Sequence, residues 1–357
     1  MPDRQTPPPL SGASQLLRLA AIGGVVIIAA AAFAYVGGWL DPQRLTPAKL
    51  VNVLEQNNGV HEGFRRNHSK GICVAGYFES SPETRQYSSS VVFSDARTPV
   101  VGRFALPAGN PYAPDSAVPI RSMALRFALS NGQQWRTGMN SMPVFPVGTT
   151  QAFYDLQQAS APAGEGGKPD PEKMKAFFGS HPETGPFLAW IKTAKPSASY
   201  ATETYNSINA FYFVDASGQR HPVRWSMVAQ NPASSADAPM TDKNFLESEL
   251  PQRIANGPLR WTLQVTLGEP GDPTDDASKA WPAERHSFNA GTLVLENTQP
   301  QSTGECRDIN YDPLVLPSGI QPSADPLLAA RSAAYATSYQ RRTAEEAAGK
   351  IGKESNP

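Results

Sequence analysis

The distribution of apolar residues separates a long apolar run near the N-terminus from a body of short segments. From Leu19 through Leu40 no residue is charged, and Arg18 and Asp41 close the run on its two sides. A helix that rises about 1.5 Å per residue spans roughly 30 Å over this run, which is the thickness of a bilayer core. The pattern predicts a transmembrane anchor over residues 19–40.

The charges around this run predict its orientation. Arg4 and Arg18 precede it, so the positive-inside tendency places a short N-terminus, residues 1–18, in the cytoplasm. The body then lies in the periplasm, attached to the inner membrane by one span. The alternative is a cleaved signal peptide that leaves a soluble periplasmic protein, because Ala32-Phe33-Ala34 resembles a cleavage site. Signal peptides usually have a shorter apolar region of about 7–15 residues, which favours the anchor.

After a linker at 41–50, the body mixes short strand-like segments, rich in Val, Phe and Tyr and bounded by Gly, Pro, Asn or Asp, with helical ones. Strands are predicted at 71–79, 89–94, 99–106, 121–129, 208–214, 222–229, 259–267 and 291–296. Helices are predicted at 48–57, 151–158, 171–179, 184–193, 242–256 and 325–347. The fold class is α+β, and the short strands favour an antiparallel barrel or sandwich.

Composition narrows the functional classes. The 357 residues are 40% apolar, which is sufficient for a sizeable core. The net charge of -1 and the lack of long Lys/Arg runs argue against nucleic-acid binding. The two cysteines, Cys73 and Cys306, are far apart and in no metal-ligand spacing. In an oxidising compartment they could form a disulfide, and two buried thiols are the alternative.

The helix predicted at 325–347 carries candidate chemistry on one face. Arg331, Tyr335, Tyr339 and Arg342 are spaced four, four and three residues apart, so they lie along one stripe. A guanidinium one turn from a phenol favours the phenolate, which is an oxygen ligand for ferric iron. A second arginine two turns on could bind a carboxylate of the same flat cofactor. A surface helix with a Tyr/Arg face would have the same spacing, so spacing does not decide between these alternatives.

Three segments in order resemble haem catalases. YDPLVLPSGIQPSADPLLAARSAAYATSYQRR (311–342) is similar to the segment that runs from a Phe-Asp-Pro turn into the helix of the proximal tyrosine. FRRNHSKGICVAGYFE (64–79) resembles the distal-histidine segment, and RTPVVGRFALPAGNP (97–111) resembles the one after it. The resemblance assigns residues 51–345 to a catalase-like haem domain and 346–357 to a polar tail. The chain is shorter than a full catalase, so it is most similar to the small catalase-related peroxidases.

The resemblance implies a catalase-like antiparallel β-barrel with surrounding helices around a pocket for haem b. In that fold Tyr335 is the iron ligand, and Arg331 holds it as phenolate. His68 is the distal acid-base group. The roles of the haem-carboxylate ligands then fall to Arg65, Arg103 and Arg342.

The chain departs from the family pattern at three places. Ala105 stands where the family has a serine that orients the distal histidine, and the channel aspartate expected near Pro119 is missing. The distal asparagine is Asn140 if the glycine of GMNSMPVF is aligned, and Ser141 takes its place if Pro143 is aligned. A catalase must also oxidise a second peroxide in an ordered distal pocket, so these losses are expected to weaken that step most.

These features predict a haem peroxidase that acts in the response to oxidative stress. It would reduce hydrogen peroxide or organic hydroperoxides with an external electron donor and have weak or no catalase activity. The alternatives are a catalase-fold isomerase of lipid hydroperoxides and a non-enzymatic haem-binding protein. The sequence leaves open the preferred peroxide, the electron donor and the oligomeric state.

Overall fold

The structure, a computed structural model, describes residues 12–37, 39, 41, 44–164, 167–231 and 241–350. Residues up to Lys49 and residues from Leu50 onward form two compact units. The first unit contains helix α1 (Gly12–Val36), none of whose residues is buried. This 25-residue helix, with a hydropathy of 2.4, is long and apolar enough to cross a membrane, a property that signal sequences share.

Helix α1 begins upstream of the predicted span, at Gly12, and ends at Val36. Residues 1–11 of the predicted cytoplasmic segment and residues 351–357 of the predicted tail lie outside the described residues. The first two residues of that tail, 346 and 347, belong to the last helix. The segment boundaries drawn from the sequence therefore stay predictions.

The second unit mixes helices and strands, which confirms the α+β class. The helices are α2 (Pro47–Asn58), α3 (Thr150–Ala159), α4 (Pro171–Ser180), α5 (Gly185–Ile191), α6 (Phe245–Ala255) and α7 (Pro326–Ala347). The strands are β1 (Gly71–Ser80), β2 (Thr98–Ala105), β3 (Ser122–Ala128), β4 (Gln134–Asn140), β5 (Tyr205–Asn206), β6 (Phe211–Val214), β7 (Arg220–Ala229), β8 (Leu259–Leu267), β9 (Ser287–Pro300) and β10 (Ile320–Pro322).

Eight of the strands close into an antiparallel barrel, in the order β7-β5-β4-β3-β2-β1-β9-β8. The ring is closed by pairing of β7 with β8 from Val223↔Leu267 to Ala229↔Trp261. Strands β6 and β10 extend the sheet from the other edge of β7. Closure leaves no unpaired edge in the ring itself. Of the two architectures predicted from the sequence, the barrel is therefore the one observed and the sandwich is not.

Apolar side chains at alternate positions of the strands fill the barrel interior. In β8, Leu259, Trp261, Leu263 and Val265 are buried, and the residues between them are more exposed. Aromatic rings dominate the interior. The stacked pairs are Phe127 with Trp135 (4.7 Å between centroids), Phe211 with Trp225 (4.4 Å) and Phe104 with Tyr200 (5.1 Å). The barrel is a packed core, so a ligand must bind outside it.

One predicted strand is wrong, and three strands were missed. Residues 89–94 contain a 3-10 turn, Val91–Phe93, whose Val92 and Phe93 are fully buried in the core. The apolar residues of this segment therefore pack into the core from a turn and are not part of a strand. Strands β4, β5 and β10 were not predicted, since β5 and β10 are only two and three residues long.

The two cysteines form a disulfide. Cys73 in β1 is bonded to Cys306 in the segment after β9, with 5.4 Å between the Cα atoms. Both side chains are buried, and they pack in a small cluster with Val101, Ile309 and Tyr311. The bond decides between the two alternatives left open by the sequence, and it fixes the chain after β9 against the outside of the barrel.

We predict that this disulfide contributes substantially to stability, because it closes a loop across 233 residues. Replacing both residues, Cys73→Ser and Cys306→Ser, should lower the free energy of unfolding by about 2–5 kcal/mol. Denaturant unfolding of the wild type with and without reductant provides the matched comparison. A double variant as stable as the oxidised wild type would contradict the prediction.

Candidate active site

A cavity of about 540 Å³ lies between the outer face of the barrel and helix α7. Side chains of a strand alternate between its two faces, so the residues beside those that fill the barrel point outward. The outward-facing residues of β2, β3 and β4 that line the cavity are Arg103, Ala105, Ser122, Ala124, Gly138 and Asn140. The volume falls within the range of cofactor and small-molecule sites.

Helix α7 forms the facing wall. Its N-cap residue Asp325 accepts a hydrogen bond from the N–H of Leu327 at 2.8 Å, and Pro326 occupies the first helical position. The residues of the predicted stripe, Arg331, Tyr335, Tyr339 and Arg342, all line the cavity. The helical spacing therefore brings them to one site, and the alternative of a solvent-facing stripe is wrong.

Arg331 and Tyr335 are held next to the barrel wall. The guanidinium carbon of Arg331 lies 5.9 Å from the centroid of the Tyr335 ring. Arg331 donates to the carbonyl of Gly138 at 2.9 Å and to the amide oxygen of Asn209. A Cβ at position 138 would lie 3.0 Å from the Arg331 Nη2 and 3.8 Å from the Tyr335 hydroxyl. A glycine at this point of β4 leaves room for both side chains.

His68 reaches the cavity from the loop before β1. Its backbone has φ of 53°, a left-handed conformation that costs a non-glycine residue some strain. Two contacts stabilise it: the N–H donates to Oδ1 of Asn67 at 2.9 Å, and the carbonyl accepts from Arg103 Nη1 at 2.7 Å. Burial, and then the positive charges of Arg103, Arg331 and Arg65, lower the pKa of His68 to about 3. The imidazole is therefore neutral near pH 7.

The imidazole of His68 has no hydrogen-bond partner among the residues described. Ala105, which lines the same cavity, has no hydroxyl to offer it. The loop itself is firmly attached, since the N–H of the neighbouring Arg66 donates to Ser338 Oγ on α7 at 3.1 Å. The Arg66 guanidinium also bridges Glu55 of α2 and Glu345 of α7. The backbone at His68 is thus tied to α7, and its ring is left unrestrained.

Three arginines collect at one end of the cavity. Arg65 donates to the carbonyls of Cys306, Arg307 and Ile309 at 2.9–3.0 Å, and burial lowers its pKa well below the usual value, helped by the charges of Arg103 and Arg342. Burial likewise lowers the pKa of Arg103 to about 10.

This arginine cluster leaves several polar atoms unsatisfied. Nε of Arg103, Nε and Nη2 of Arg342, and the hydroxyl of Tyr311 are buried with no hydrogen-bond partner among the described residues. Nη1 of Arg342 pairs with Glu346 at 3.2 Å and with Asp308 at 3.4 Å. Buried polar groups are normally hydrogen-bonded, and unpaired N–H groups on neighbouring cations call for an anion. The lining therefore fits a flat iron porphyrin, with a phenol for the metal, an imidazole in the same cavity, and donors for carboxylates at one end.

The structure distinguishes between the two alignments of GMNSMPVF. Asn140 lines the cavity, and its amide oxygen accepts a hydrogen bond from Ser122 Oγ at 2.6 Å. The Ser141 hydroxyl instead accepts from the backbone N–H of Arg121 at 3.0 Å. Asn140 is therefore the side chain available in the cavity.

Sequence reasoning missed the residues that hold the site residues. Asn209 binds Arg331 through its oxygen and Asp325 through its nitrogen, at 2.7 Å for the latter. Ser122 holds Asn140, and the amide oxygen of Gln301 accepts from Arg103. These are isolated polar residues in strands or loops, so no spacing in the sequence singled them out.

Known proteins share sequence similarity with most of this chain. The sequence model of the family described as "Catalase" matches residues 45–348. A catalase-related peroxidase from Synechococcus elongatus is 39% identical over 330 residues, covering 92% of this chain and 95% of the relative. A second catalase-related peroxidase, from Mycolicibacterium paratuberculosis, is 30% identical over 84% of this chain and 95% of its own length.

Longer catalases match over part of their length. A Pseudomonas aeruginosa catalase is 27% identical over 84% of this chain and 61% of its own length. The solved structure of a bacterial catalase superposes with a TM-score of 0.69 at 21% identity, over 82% of this chain and 60% of that one. The barrel fold is thus shared with structures of low sequence identity. The family model matches most of this chain, and the chain covers 95% of the length of each of the two catalase-related peroxidases. This chain therefore belongs to the catalase family.

Proposed function

We propose that the protein is a haem peroxidase that reduces hydrogen peroxide or organic hydroperoxides with an external electron donor and dismutates peroxide weakly or not at all. The observation that carries the proposal is the meeting of Tyr335, His68 and a partly unpaired arginine cluster in one cavity. Relatives named catalase-related peroxidase, matched over 95% of their length, support an oxidoreductase that acts on peroxide.

Each wall of the cavity would hold a different part of the cofactor. Tyr335 would ligate the iron of haem b, with Arg331 beside it to stabilise the phenolate. Arg65, Arg103 and Arg342 would bind the two carboxylates, which would supply acceptors for the N–H groups left unpaired there. When bound, the haem supplies the redox chemistry between peroxide and donor.

His68 would move the proton. Its neutral imidazole takes the proton from the inner oxygen of the hydroperoxide and returns it to the departing oxygen. The leaving group is then water or an alcohol in place of a strongly basic anion. Ser122 donates to the oxygen of the Asn140 amide, which orients the side chain. The amide nitrogen, which has no acceptor among the residues described, would donate to the bound peroxide.

Two features of the lining support peroxidase over catalase activity. With Ala105 in place of a serine, the ring of His68 has lost one restraint on its orientation and tautomer. Where the family has a channel aspartate, Val118 and Ile120 line the cavity. Dismutation needs a second peroxide to be oriented in the same pocket, so it should suffer most, and an apolar approach favours organic hydroperoxides.

We further propose an inner-membrane protein whose domain 51–345 lies in the periplasm. Helix α1 is long and apolar enough to cross a membrane once. Arg18 lies near its N-terminal end, which favours a cytoplasmic N-terminus. The Cys73–Cys306 disulfide supports an oxidising compartment, because such bonds are rare in the cytosol. A soluble periplasmic protein after signal cleavage is the alternative, and the mass of the mature chain distinguishes the two.

Replacing the proposed iron ligand should change the haem spectrum. In Tyr335→Phe the phenolate is lost, so the charge-transfer bands of the ferric wild type should disappear or shift, and haem content should fall. The matched control is Tyr339→Phe, one turn further along the same cavity wall, which should keep the wild-type bands. Identical spectra for Tyr335→Phe and wild type would contradict the assignment.

Removing the acid-base group should slow turnover. His68→Ala is expected to lower peroxide-dependent oxidation of a dye by roughly 10²-fold or more, with haem retained. His286→Ala, at an exposed position outside the cavity, is the control and should leave the rate unchanged. If His68→Ala oxidises the dye at the wild-type rate, the non-enzymatic haem-binding alternative is favoured.

The pH profile gives an independent test of His68. Since the pKa lies near 3 and not at the ordinary 6.5, the imidazole stays a competent base in weak acid. The wild-type rate should therefore show no acid limb near pH 6.5, and protonation should abolish it only as the pH falls toward about 3. An acid limb centred near pH 6.5 that His68→Ala removes would contradict the lowered pKa.

Product analysis separates the proposed reaction from its enzymatic alternatives. A fatty-acid hydroperoxide should yield the alcohol with one equivalent of an added two-electron reductant consumed, and hydrogen peroxide alone should release little oxygen. An epoxide or ketol formed without reductant would indicate an isomerase. Rapid oxygen release would indicate a catalase.

A further inference from the structure

The hydroxyl of Tyr311 is a buried polar group that the proposed chemistry does not yet use. Tyr311 lines the cavity, is 5% exposed, and its hydroxyl has no hydrogen-bond partner among the residues described. The corresponding turn of the family pattern begins with Phe, which would fill the same space without a polar atom. An unpartnered buried hydroxyl lowers stability, so its retention needs an explanation.

The surroundings restrict what that partner can be. The charged groups that act on the phenol are the guanidiniums of Arg65, Arg103, Arg126 and Arg136. Arginine has only donors, and the Tyr311 hydroxyl accepts from none of them in this structure. To donate its own proton, the hydroxyl needs an acceptor, and the four cations around it favour a negatively charged one.

The phenol is fixed in place before any ligand arrives. The carbonyl of the preceding Asn310 accepts from Arg136 at 2.6 Å, and that of Ile309 accepts from Arg65 at 3.0 Å. The ring packs with the Cys73–Cys306 disulfide. Burial raises the pKa of Tyr311 to about 12, against the opposing effect of the neighbouring arginines, so the hydroxyl remains a donor.

We propose that Tyr311 is a further cofactor-binding residue, whose hydroxyl donates a hydrogen bond to a haem carboxylate at the cluster of Arg65, Arg103 and Arg342. The inference rests on the proposed function, since it takes haem as the carboxylate-bearing ligand. The same carboxylate would accept from the unpartnered Tyr311 hydroxyl and from the arginines of the cluster. Tyr311 would add a directional hydrogen bond to the ion pairs between the arginines and the haem carboxylate.

The test compares Tyr311→Phe with wild type in the full-length, ferric-haem-loaded protein in detergent. Haem release to excess apomyoglobin, followed by Soret absorbance, should become about tenfold faster when a hydrogen bond to a charged group is lost. The control is Tyr205→Phe, which removes a buried hydroxyl that donates to the carbonyl of Tyr200 at 2.6 Å outside the cavity. Its haem release should equal that of wild type.

Thermal unfolding of the haem-free full chain separates binding from a structural role. Tyr311→Phe should melt at the wild-type temperature or higher, because an orphan hydroxyl is removed, whereas Tyr205→Phe should melt lower. Equal haem release by Tyr311→Phe and wild type would overturn the inference, as would a Tyr311→Phe chain that melts lower or fails to fold. A wild type that binds no haem would instead overturn the proposed function.

Discussion

The site depends on a cluster of arginines whose N–H groups are only partly satisfied by the residues described. Arg103 and Arg342 lie close enough to Arg65 for their charges to lower its pKa, after the larger effect of burial. Several N–H groups of Arg103 and Arg342 have no acceptor in the part of the chain that the structure describes. Arg342 pairs through Nη1 with Glu346 and Asp308, so the deficit lies in the remaining N–H groups. Buried N–H groups without acceptors are unfavourable, and an anion bound at this cluster would satisfy them. The catalase-family fold, the phenol on α7 and the neutral imidazole of His68 together support our proposal that this anion is a porphyrin with carboxylates.

The fold delivers these groups by simple periodicities. The barrel fills its interior with aromatic rings, and the alternate residues of β2–β4 are thereby turned outward to make one wall. The 3.6-residue repeat of α7 makes the other wall, and Asp325 and Arg66 hold that helix to the barrel and to the loop of His68. The Cys73–Cys306 bond fixes the segment whose carbonyls orient Arg65. These contacts attach the residues of both cavity walls to the rest of the domain.

Much of this was predictable from the sequence, for identifiable reasons. Helix α7 has a strong N-terminal signal and one polar stripe, and β8 alternates so regularly that its predicted bounds, 259–267, match the observed strand. Strand β4 was missed although its buried residues also alternate, because Thr137 and Gly138 hide the apolar pattern of QWRTGMN. Contacts such as Asn209 with Arg331 join distant parts of the chain, and no local pattern encodes them. The motifs that resemble catalases supplied the candidate site residues, and the structure was needed to find which residues hold them.

The most direct measurement compares binding of ferric haem and of its dimethyl ester, in which both carboxylates are neutral, to the haem-free full chain. If buried guanidiniums define the ligand, one haem should bind per chain, and the ester should bind about 10²-fold more weakly or not at all. Equal affinities for the two compounds would show that the arginine cluster does not recognise the carboxylates, and would contradict the proposed haem site.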